Sequence, residues 1–541
     1  MSPTMNGIRA TLLAGAASVA LLAGPASAQD ASNDAPKHHR HTDGVAARLD
    51  RLEHVIEDQE AQIKSLKAQV GQTASAAAQP QVSAAQFEAL QNQVYEQSAA
   101  AKSSGGNATL ALGKNGRPLI SSADGKYTFS PRVLVQSDFA SYSKDVVAGS
   151  PIKKSGENFR RAQIGFQGKI AGDFAYKFIY DFGGTNGDET YQAYYANGAT
   201  PPKLGSTGAG TGPHIKEAWV SYSGALAPFT LQIGALPVPT NLGDATASDD
   251  LLFNERASPS QLSRSLGGDD GREAVGLSGS GSFWYASGFL SGDTYGKGAL
   301  IAPSDSQEAL VGRVAIFPFY DPATNFNVHL GANYTDAVSP QESTNAAGVT
   351  SSAITFSDRP ELRVDNFTLL NTGTINARSG YTAGLEGAVS WGPFLAEAED
   401  FWYGIDRRAP AAGATNPNFS GWYVDASWVL TGEFRKYNTQ TASYTRPSPA
   451  ASFDPENGDW GAWELAGRYS STDLDYHITS ATAADRIFGG EQYIWTAGLN
   501  FYPNDIVKFM VDWQNVDVKN IGKLGNNDKY DTINLRAQVS F

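Results

Sequence analysis

The last ten residues of the chain alternate strictly between apolar and polar side chains. Odd positions from Ile533 to Phe541 are apolar, and even positions from Thr532 to Ser540 are polar. A period of two gives a strand one apolar and one polar face. Because the pattern recurs over about 400 residues, we predict strands with one face towards lipid and the other towards water. Such strands must close into a transmembrane β-barrel, since an open edge would leave unpaired backbone groups in lipid. We predict that Phe541 ends the closing strand.

The first 28 residues have the pattern of a secretory signal peptide. Arg9 supplies a basic start, an apolar core of about 15 residues follows, and Ala26-Ser27-Ala28 forms a small-residue cleavage site before Gln29. No later window has the ~20 apolar residues of a spanning helix. We therefore predict export to the outer membrane of a Gram-negative cell, with outer-membrane lipid as the surroundings of the barrel.

Between the leader and the barrel we predict an α-helical arm on the periplasmic side. Residues 29–44 form a flexible polar segment, in which the His-rich residues 37–41 are interpreted as a solvated tail rather than a metal site. Residues 45–101 are predicted as a coiled coil of about four heptads followed by a second helix, and 102–125 as a linker. A lone amphipathic helix packed on the barrel is the alternative. The predicted seam consists of Leu49, Leu52, Ile56, Gln59, Ile63, Leu66 and Val70.

Residues 126–541 are predicted to form an all-β domain, an antiparallel barrel of about 16 strands. Its connections are mostly short and long in alternation, which is typical of outer-membrane barrels, and the exception is the long connection 433–457 on the short side. About 16 strands enclose an aqueous channel. The predicted strands are 126–142, 157–170, 173–182, 214–223, 228–235, 272–280, 282–292, 308–318, 326–336, 376–391, 393–404, 417–432, 458–472, 489–502, 505–518 and 528–541.

The charge and cysteine content exclude several classes of function. A formal net charge of −14 argues against a nucleic-acid partner, because phosphate-binding surfaces need an excess of Lys and Arg. The chain has no Cys, so it has neither a disulfide nor a thiolate metal site. We predict no cofactor and no metal.

Several motifs, in order along the barrel, resemble a family of outer-membrane porins that includes the phosphate- and pyrophosphate-selective porins O and P. They are Asn158-Phe159-Arg160-Arg161-Ala162, Phe253-Asn254-Glu255-Arg256, Asp358-Arg359-Pro360-Glu361-Leu362-Arg363, Gly461-Ala462-Trp463-Glu464-Leu465 and Leu535-Arg536-Ala537-Gln538. The resemblance implies a trimer inserted by the barrel assembly machinery. It also implies passive diffusion of small solutes, with anions such as phosphate as the favoured class.

The resemblance further implies an arginine-rich path for anions, formed by Arg132, Arg160, Arg161, Arg256, Arg359 and Arg363. A guanidinium suits phosphate because it offers two parallel charge-assisted donors. Strand parity places Arg132 and Arg161 towards the lumen. Arg160 has the opposite parity, so it faces the lumen only if the strand contains a β-bulge.

The third long loop departs from the pattern of the selective members. Where they place a lysine ahead of the Glu-Arg motif, this chain has Asp249 and Asp250, followed by Glu255. A carboxylate in a narrow, partly desolvated anion path can cancel an arginine. We therefore expect a weak anion preference, and a general-diffusion porin, non-specific or weakly cation-preferring, is the alternative.

Two other functional classes explain less of the sequence. Glu397 and Glu399 lie on one strand face, roughly 7 Å apart, a spacing that could suit paired catalytic carboxylates. Acids at such spacing are expected on the lumen face of a barrel without catalysis. Asp138, Asp181, Glu217, Asp425 and Glu464 are predicted to share that face. An envelope tether or adhesin that uses the coiled coil would place repeats outside the cell, whereas the strand count places the N-terminus in the periplasm.

Overall fold

A computed structural model of the chain describes residues 108–112, 117–143, 155–183, 192–194, 203–205, 214–268, 271–294, 307–344, 350–365, 368–520 and 527–541. The leader, the polar segment 29–44 and the coiled-coil seam lie outside these residues and stay predictions. Among the described residues, no helix is long and apolar enough to cross a membrane.

The described residues form one large antiparallel sheet of 20 strands, 16 of which close into a barrel. Every predicted strand is present, and the predicted ends differ from the observed ends by at most four residues. The prediction of a 16-stranded barrel is therefore confirmed. In chain order the barrel strands are β1 Thr128–Tyr142, β2 Gly156–Ile170, β3 Phe174–Asp181, β4 His214–Tyr222, β5 Phe229–Leu236, β6 Arg272–Ser280, β7 Trp284–Thr294, β8 Glu308–Asp321, β9 Phe326–Ser339, β10 Ile375–Trp391, β11 Phe394–Arg407, β12 Asn418–Val429, β13 Ala462–Tyr476, β14 Ile487–Tyr502, β15 Val507–Lys519 and β16 Asp528–Ser540.

The last strand closes the ring by pairing with the first. The register between β16 and β1 runs from Thr532 opposite Tyr142 to Ser540 opposite Leu134. Phe541 continues the pairing beyond the strand, because its N–H donates to the carbonyl of Val133 at 3.1 Å and its carbonyl accepts from the N–H of Val133 at 3.0 Å. The C-terminal alternation therefore marks the seam of the barrel.

The two faces of each strand differ in the way that the alternation predicts. In β16, Ile533 and Leu535 point outwards and are exposed, whereas Asn534 and Arg536 are buried in the lumen. Outside β1–β3, the ring of Phe166 stacks on those of Phe129 and Phe178, with centroids 5.6 and 5.5 Å apart. An apolar outer band with aromatic rings suits a surface in contact with lipid.

Apart from the connection 430–461, short turns join the strands at one end of the barrel, and longer loops join them at the other end. Outer-membrane barrels place short turns in the periplasm, so we refer to the two ends as the periplasmic and external ends. The predicted linker 102–125 contains a hairpin, Thr109–Leu112 with Pro118–Ser121, that pairs with β1 through Ile120 opposite Phe129. Part of the linker therefore extends the sheet, because the backbone of Ile120 and Ser121 pairs with the backbone at the start of β1.

Three connections carry further regular structure. Residues 237–271, named loop 3 here, contain helices α1 Leu242–Ala245 and α2 Ser258–Gly267. Residues 340–374, named loop 5, contain the short strands Glu342–Thr344, Thr350–Ile354, Ser357–Asp358 and Leu370–Asn371. Residues 430–461, named the periplasmic segment, contain the two-stranded pair Tyr437–Asn438 and Ser443–Tyr444. The remaining short elements are the strands Gln192–Tyr194 and Lys203–Gly205 and the 3₁₀ turns Gly224–Leu226 and Ala483–Asp485.

Replacing Phe541 by Ser should reduce the amount of folded barrel in the outer membrane. The substitution keeps the backbone pairing with Val133 but removes the apolar ring at the seam. The measurement is the heat-modifiable fraction on unheated gels. The control is Phe509→Ser, which removes an outward-facing ring from the neighbouring strand β15. Equal levels of folded wild-type and Phe541→Ser protein would contradict a special role for the terminal aromatic.

Candidate functional site: the charged constriction of the barrel

Loop 3 folds into the lumen, and its first half is fixed to the wall formed by β11 and β12. The carboxylate of Glu399 accepts hydrogen bonds from the backbone N–H of Leu242 at 2.8 Å and of Gly243 at 3.0 Å. It also accepts one from the hydroxyl of Tyr423 at 2.6 Å. A Cβ at Gly243 would lie 2.6 Å from Oγ of Ser260, so the close approach requires glycine. Glu399 is thus an anchor for loop 3.

The second half of loop 3 lies along the neighbouring wall, formed by β14–β16. The carbonyls of Leu251 and Leu252 accept hydrogen bonds from Lys508 at 2.6 Å and from Asn500 at 2.9 Å. The carbonyl of Asn254 accepts one from Arg536 at 2.5 Å. These polar side chains all belong to the lumen face of their strands. The loop therefore extends from β5 and β6 across the lumen and is fixed at several points to the wall formed by β11–β16.

At the end of this crossing, Glu255 is surrounded by arginines. Its carboxylate lies 2.5 Å from Arg160, 3.3 Å from Arg536 and 3.9 Å from Arg363. Burial alone would raise the pKa of Glu255, but the charges of Arg160, Arg161 and Arg536 hold it well below its usual range. One acid of loop 3 thus lies within a cluster of positive charge.

A β-bulge turns both adjacent arginines of β2 into the lumen. Along β1 the register moves from Gln136 opposite Arg161 to Ser137 opposite Phe159, which leaves Arg160 as the extra residue. Arg161 donates to Oε1 of Gln136 at 2.6 Å, and Arg160 reaches Glu255. The bulge that Arg160 needs in order to face the lumen is therefore present.

The remaining arginines of the predicted path lie in different parts of the barrel. Arg132 lies on the lumen face of β1 and is partly exposed. Arg363 of loop 5 pairs with Asp358 at 2.9 Å, and Arg359 beside it is buried. The guanidinium of Arg256 donates at 2.8 Å to the carbonyls of both Gly243 and Thr246, so it also holds the turn of loop 3 together.

Asp249 and Asp250 meet an arginine that the sequence analysis did not consider. Arg446, from the periplasmic segment, lies 3.3 Å from Asp249 and 4.0 Å from Asp250, and all three side chains keep some exposure. Its guanidinium also donates to the carbonyls of Asp249 at 3.4 Å and Asp505 at 2.7 Å. Burial and the adjacent Asp249 raise the pKa of Asp250 to about 6, while Arg446 opposes the shift. Asp249 and Asp250 therefore bind the periplasmic segment as well as facing the lumen.

The periplasmic segment itself enters the barrel. Arg435 pairs with Glu464 of β13 at 2.6 Å and donates to the carbonyl of Asp250 at 2.6 Å. The tip of the segment rests on β8 and β9. Arg313 donates to the carbonyls of Thr441 and Ala442 at 2.8 Å, and the hydroxyl of Tyr437 lies 2.7 Å from Nδ1 of His329. The sequence signal for this insertion was the unexpected length of a connection at the periplasmic end.

Most lumen acids that the sequence predicted are paired with basic residues that it did not single out. Strand parity could have found several of these partners, because Arg313, Arg468 and Arg536 alternate with outward-facing apolar residues. The pairs are Asp138 with Arg536 at 2.6 Å, Asp425 with Arg468 at 2.7 Å, Glu464 with Arg435 at 2.6 Å, and Glu217 with Lys177 at 2.9 Å. Glu386, which the sequence analysis did not name, pairs with Arg313 at 2.8 Å.

Among the residues that the structure describes, loop 3 and the periplasmic segment fill one side of the lumen and leave the other side open. On β9–β16 nearly all lumen-facing side chains that the structure describes are buried. Partly exposed lumen residues lie instead on the periplasmic half of β1–β6 and include Arg132, Gln167, Lys177, Trp219, Gln232 and Ser278. The expected wide aqueous channel is therefore narrowed to a passage along the first six strands, because the inserted segments fill the rest.

A closed 16-stranded barrel with a lipid-facing outer band and an infolded charged loop defines an outer-membrane porin. A family model of phosphate-selective porins O and P matches residues 132–541. The chain belongs to this family, and the resemblance seen in its motifs is confirmed.

Individual relatives are similar over shorter stretches. Porin O of Pseudomonas aeruginosa is 30% identical over 159 residues, which are 29% of this chain and 34% of that protein. An uncharacterized protein of Caulobacter vibrioides is 29% identical over 197 residues, 36% of each chain. The matched stretches thus span about a third of these curated relatives. Among solved structures, an anion-selective porin from Comamonas acidovorans has a TM-score of 0.44 and 11% identity, and covers 77% of this chain and 100% of its own.

Replacing Arg446 by Gln should loosen the periplasmic segment, because Asp249 and Asp250 lose the charge that holds them to it. We expect a larger or noisier single-channel conductance in planar bilayers. The matched control is Arg378→Gln, which breaks an exposed ion pair with Asp406. A steady, wild-type conductance in the Arg446→Gln channel would show that the segment stays in place without this contact.

Proposed function

We propose that the protein is a channel for the passive diffusion of small anions, phosphate among them. The proposed path runs from Arg363 and Arg160 near the external side of loop 3, past Arg161, to Arg132 nearer the periplasm. Arg132 lies opposite Gly165, four residues along β2 from Arg161, which corresponds to roughly 13 Å along the strand.

The arginine cluster around Glu255 is the observation that carries this proposal. Arg160, Arg161, Arg363 and Arg536 face three carboxylates, those of Glu255, Asp138 and Asp358. The cluster therefore concentrates guanidinium groups where the lumen is narrow. In partly desolvated surroundings such groups attract anions more strongly than in water, and they match the oxygens of phosphate.

The assembly around the channel is also part of the proposal. Family membership and the lipid-facing surface support a homotrimer in the outer membrane, inserted by the barrel assembly machinery, with the N-terminal coiled coil in the periplasm. The coiled coil would hold the three chains together or contact periplasmic components.

The second candidate is a general-diffusion porin that is non-specific or weakly prefers cations. The observation that favours it is the partial exposure of Asp249 and Asp250 beside the passage. Two carboxylates there could offset the arginines on the opposite wall.

Replacing Arg161 by Glu tests the anion path. We expect the reversal potential under a salt gradient to move towards cations, and any block of chloride current by phosphate to disappear, because two units of charge change at the narrow part. Arg161→Lys keeps the charge and should keep the anion preference. Arg378→Glu makes the same charge change at the exposed rim and should resemble the wild type.

If Arg161→Glu leaves both conductance and ion preference unchanged, the arginine path does not carry the ions. The channel would then belong to the general-diffusion class.

A further inference from the structure

Trp219 is an aromatic side chain on the lumen face of β4 that the proposed arginine path does not use. In register it lies opposite Lys177 of β3 and Gly234 of β5. A Cβ built at Gly234 would lie 3.1 Å from Cβ of Trp219, so the bare backbone there lets the indole lie close to the wall. Trp219 packs against an apolar cluster that includes Ala274, and it keeps some exposure. An indole therefore forms part of the wall that the passage follows.

A hydrogen bond fixes the orientation of this indole. The Nε1–H of Trp219 donates to Oε2 of Glu217 at 2.9 Å, and the Nζ of Lys177 lies 2.9 Å from the same oxygen. Glu217 is buried, so its carboxylate is held by these donors away from bulk water. A ring that is already held in place loses little conformational freedom when a solute stacks on it. The indole is therefore preorganised for a stacking contact.

Arg132 supplies a positive charge on the same wall. It lies opposite Gly165 of β2, which lies opposite Ile179 of β3. Ile179 in turn pairs with Glu217 of β4, so the two wall positions between Arg132 and Glu217 carry no charge. Trp219 is two residues further along β4, roughly 7 Å towards the periplasm. Since β1–β4 curve around the lumen, side chains that point inwards from this wall converge.

The guanidinium of Arg132 is partly exposed in the passage. In the part of the chain that the structure describes, it makes no hydrogen bond and no ion pair, although its charge also acts on Asp249. Its donors can therefore meet a solute in the passage.

We propose that Trp219 and Arg132 form a binding site for small organic anions that carry an aromatic ring. This inference rests on the proposed function and names a substrate class for the same passage. The guanidinium of Arg132 holds the anionic group through charge-assisted hydrogen bonds, and the ring of the solute stacks on the indole of Trp219. Inorganic phosphate makes only the first of these contacts. An aromatic anion therefore binds more tightly than an equally charged anion without a ring.

Phenyl phosphate and methyl phosphate test this inference, because they carry the same charged group and differ in the ring. We expect phenyl phosphate to half-block chloride current through wild-type channels at about a fivefold lower concentration than methyl phosphate. Trp219→Leu should remove this difference and leave the block by methyl phosphate unchanged, whereas Trp219→Phe should keep most of the difference. Arg132→Gln should weaken the block by both esters. The matched control is Trp495→Leu, which removes an exposed indole from the outer face of β14.

Heat modifiability on gels shows which variants contain a folded barrel, and the comparison of the two esters in the wild type needs no variant. Equal half-block concentrations for the two esters in the wild type would overturn the inference and leave the proposed function in place. A folded Trp219→Leu channel that keeps the preference for phenyl phosphate would also overturn it. A wild-type channel that shows neither anion preference nor block by either ester would instead overturn the proposed function itself.

Discussion

Arg536 joins the three parts of the protein on which the channel depends. From the closing strand it pairs with Asp138 of the first strand at 2.6 Å, which spans the seam of the barrel. The same guanidinium donates to the carbonyl of Asn254 at 2.5 Å and lies 3.3 Å from Glu255, both in loop 3. Removing one partner of a buried pair typically costs about 3–5 kcal/mol, because the other charge is left unpaired. Barrel closure and the position of the constriction are therefore coupled through one side chain.

The need to pair buried charges also explains how an acidic chain can line an anion path. The lumen acids Glu386, Asp425 and Glu464 each lie against an arginine from a strand or an inserted segment. These pairs lie on the filled side of the lumen, where they hold loop 3 and the periplasmic segment. The passage runs along the other side, past Arg132. The formal charge of the chain therefore says little about the charge that an ion meets.

The sequence predicted the barrel well because the alternation of apolar and polar residues is a direct consequence of strand geometry. All 16 strands follow from it, and so do the inward positions of Arg132 and Arg161. The bulge at Arg160 could not be derived in the same way, since one extra residue in a strand leaves no distinct pattern. Only the resemblance pointed to Arg160.

The inserted segments were harder to predict than the strands. The sequence indicated the length of 433–457 but not its destination, because hydrogen bonds from Arg313 to backbone carbonyls and the contact of Arg446 with Asp249 depend on the folded barrel. The contacts of Arg256 with carbonyls of its own loop could not be foreseen for the same reason. Pairing across long sequence separations decides which charges face the passage.

The most direct test of this account is the sign of the wild-type reversal potential in a planar bilayer with a potassium chloride gradient. The arginine cluster around Glu255, together with Arg132, predicts that chloride passes more easily than potassium. A reversal potential of the opposite sign would show that Asp249, Asp250 and the other lumen acids dominate the passage, and would contradict the account.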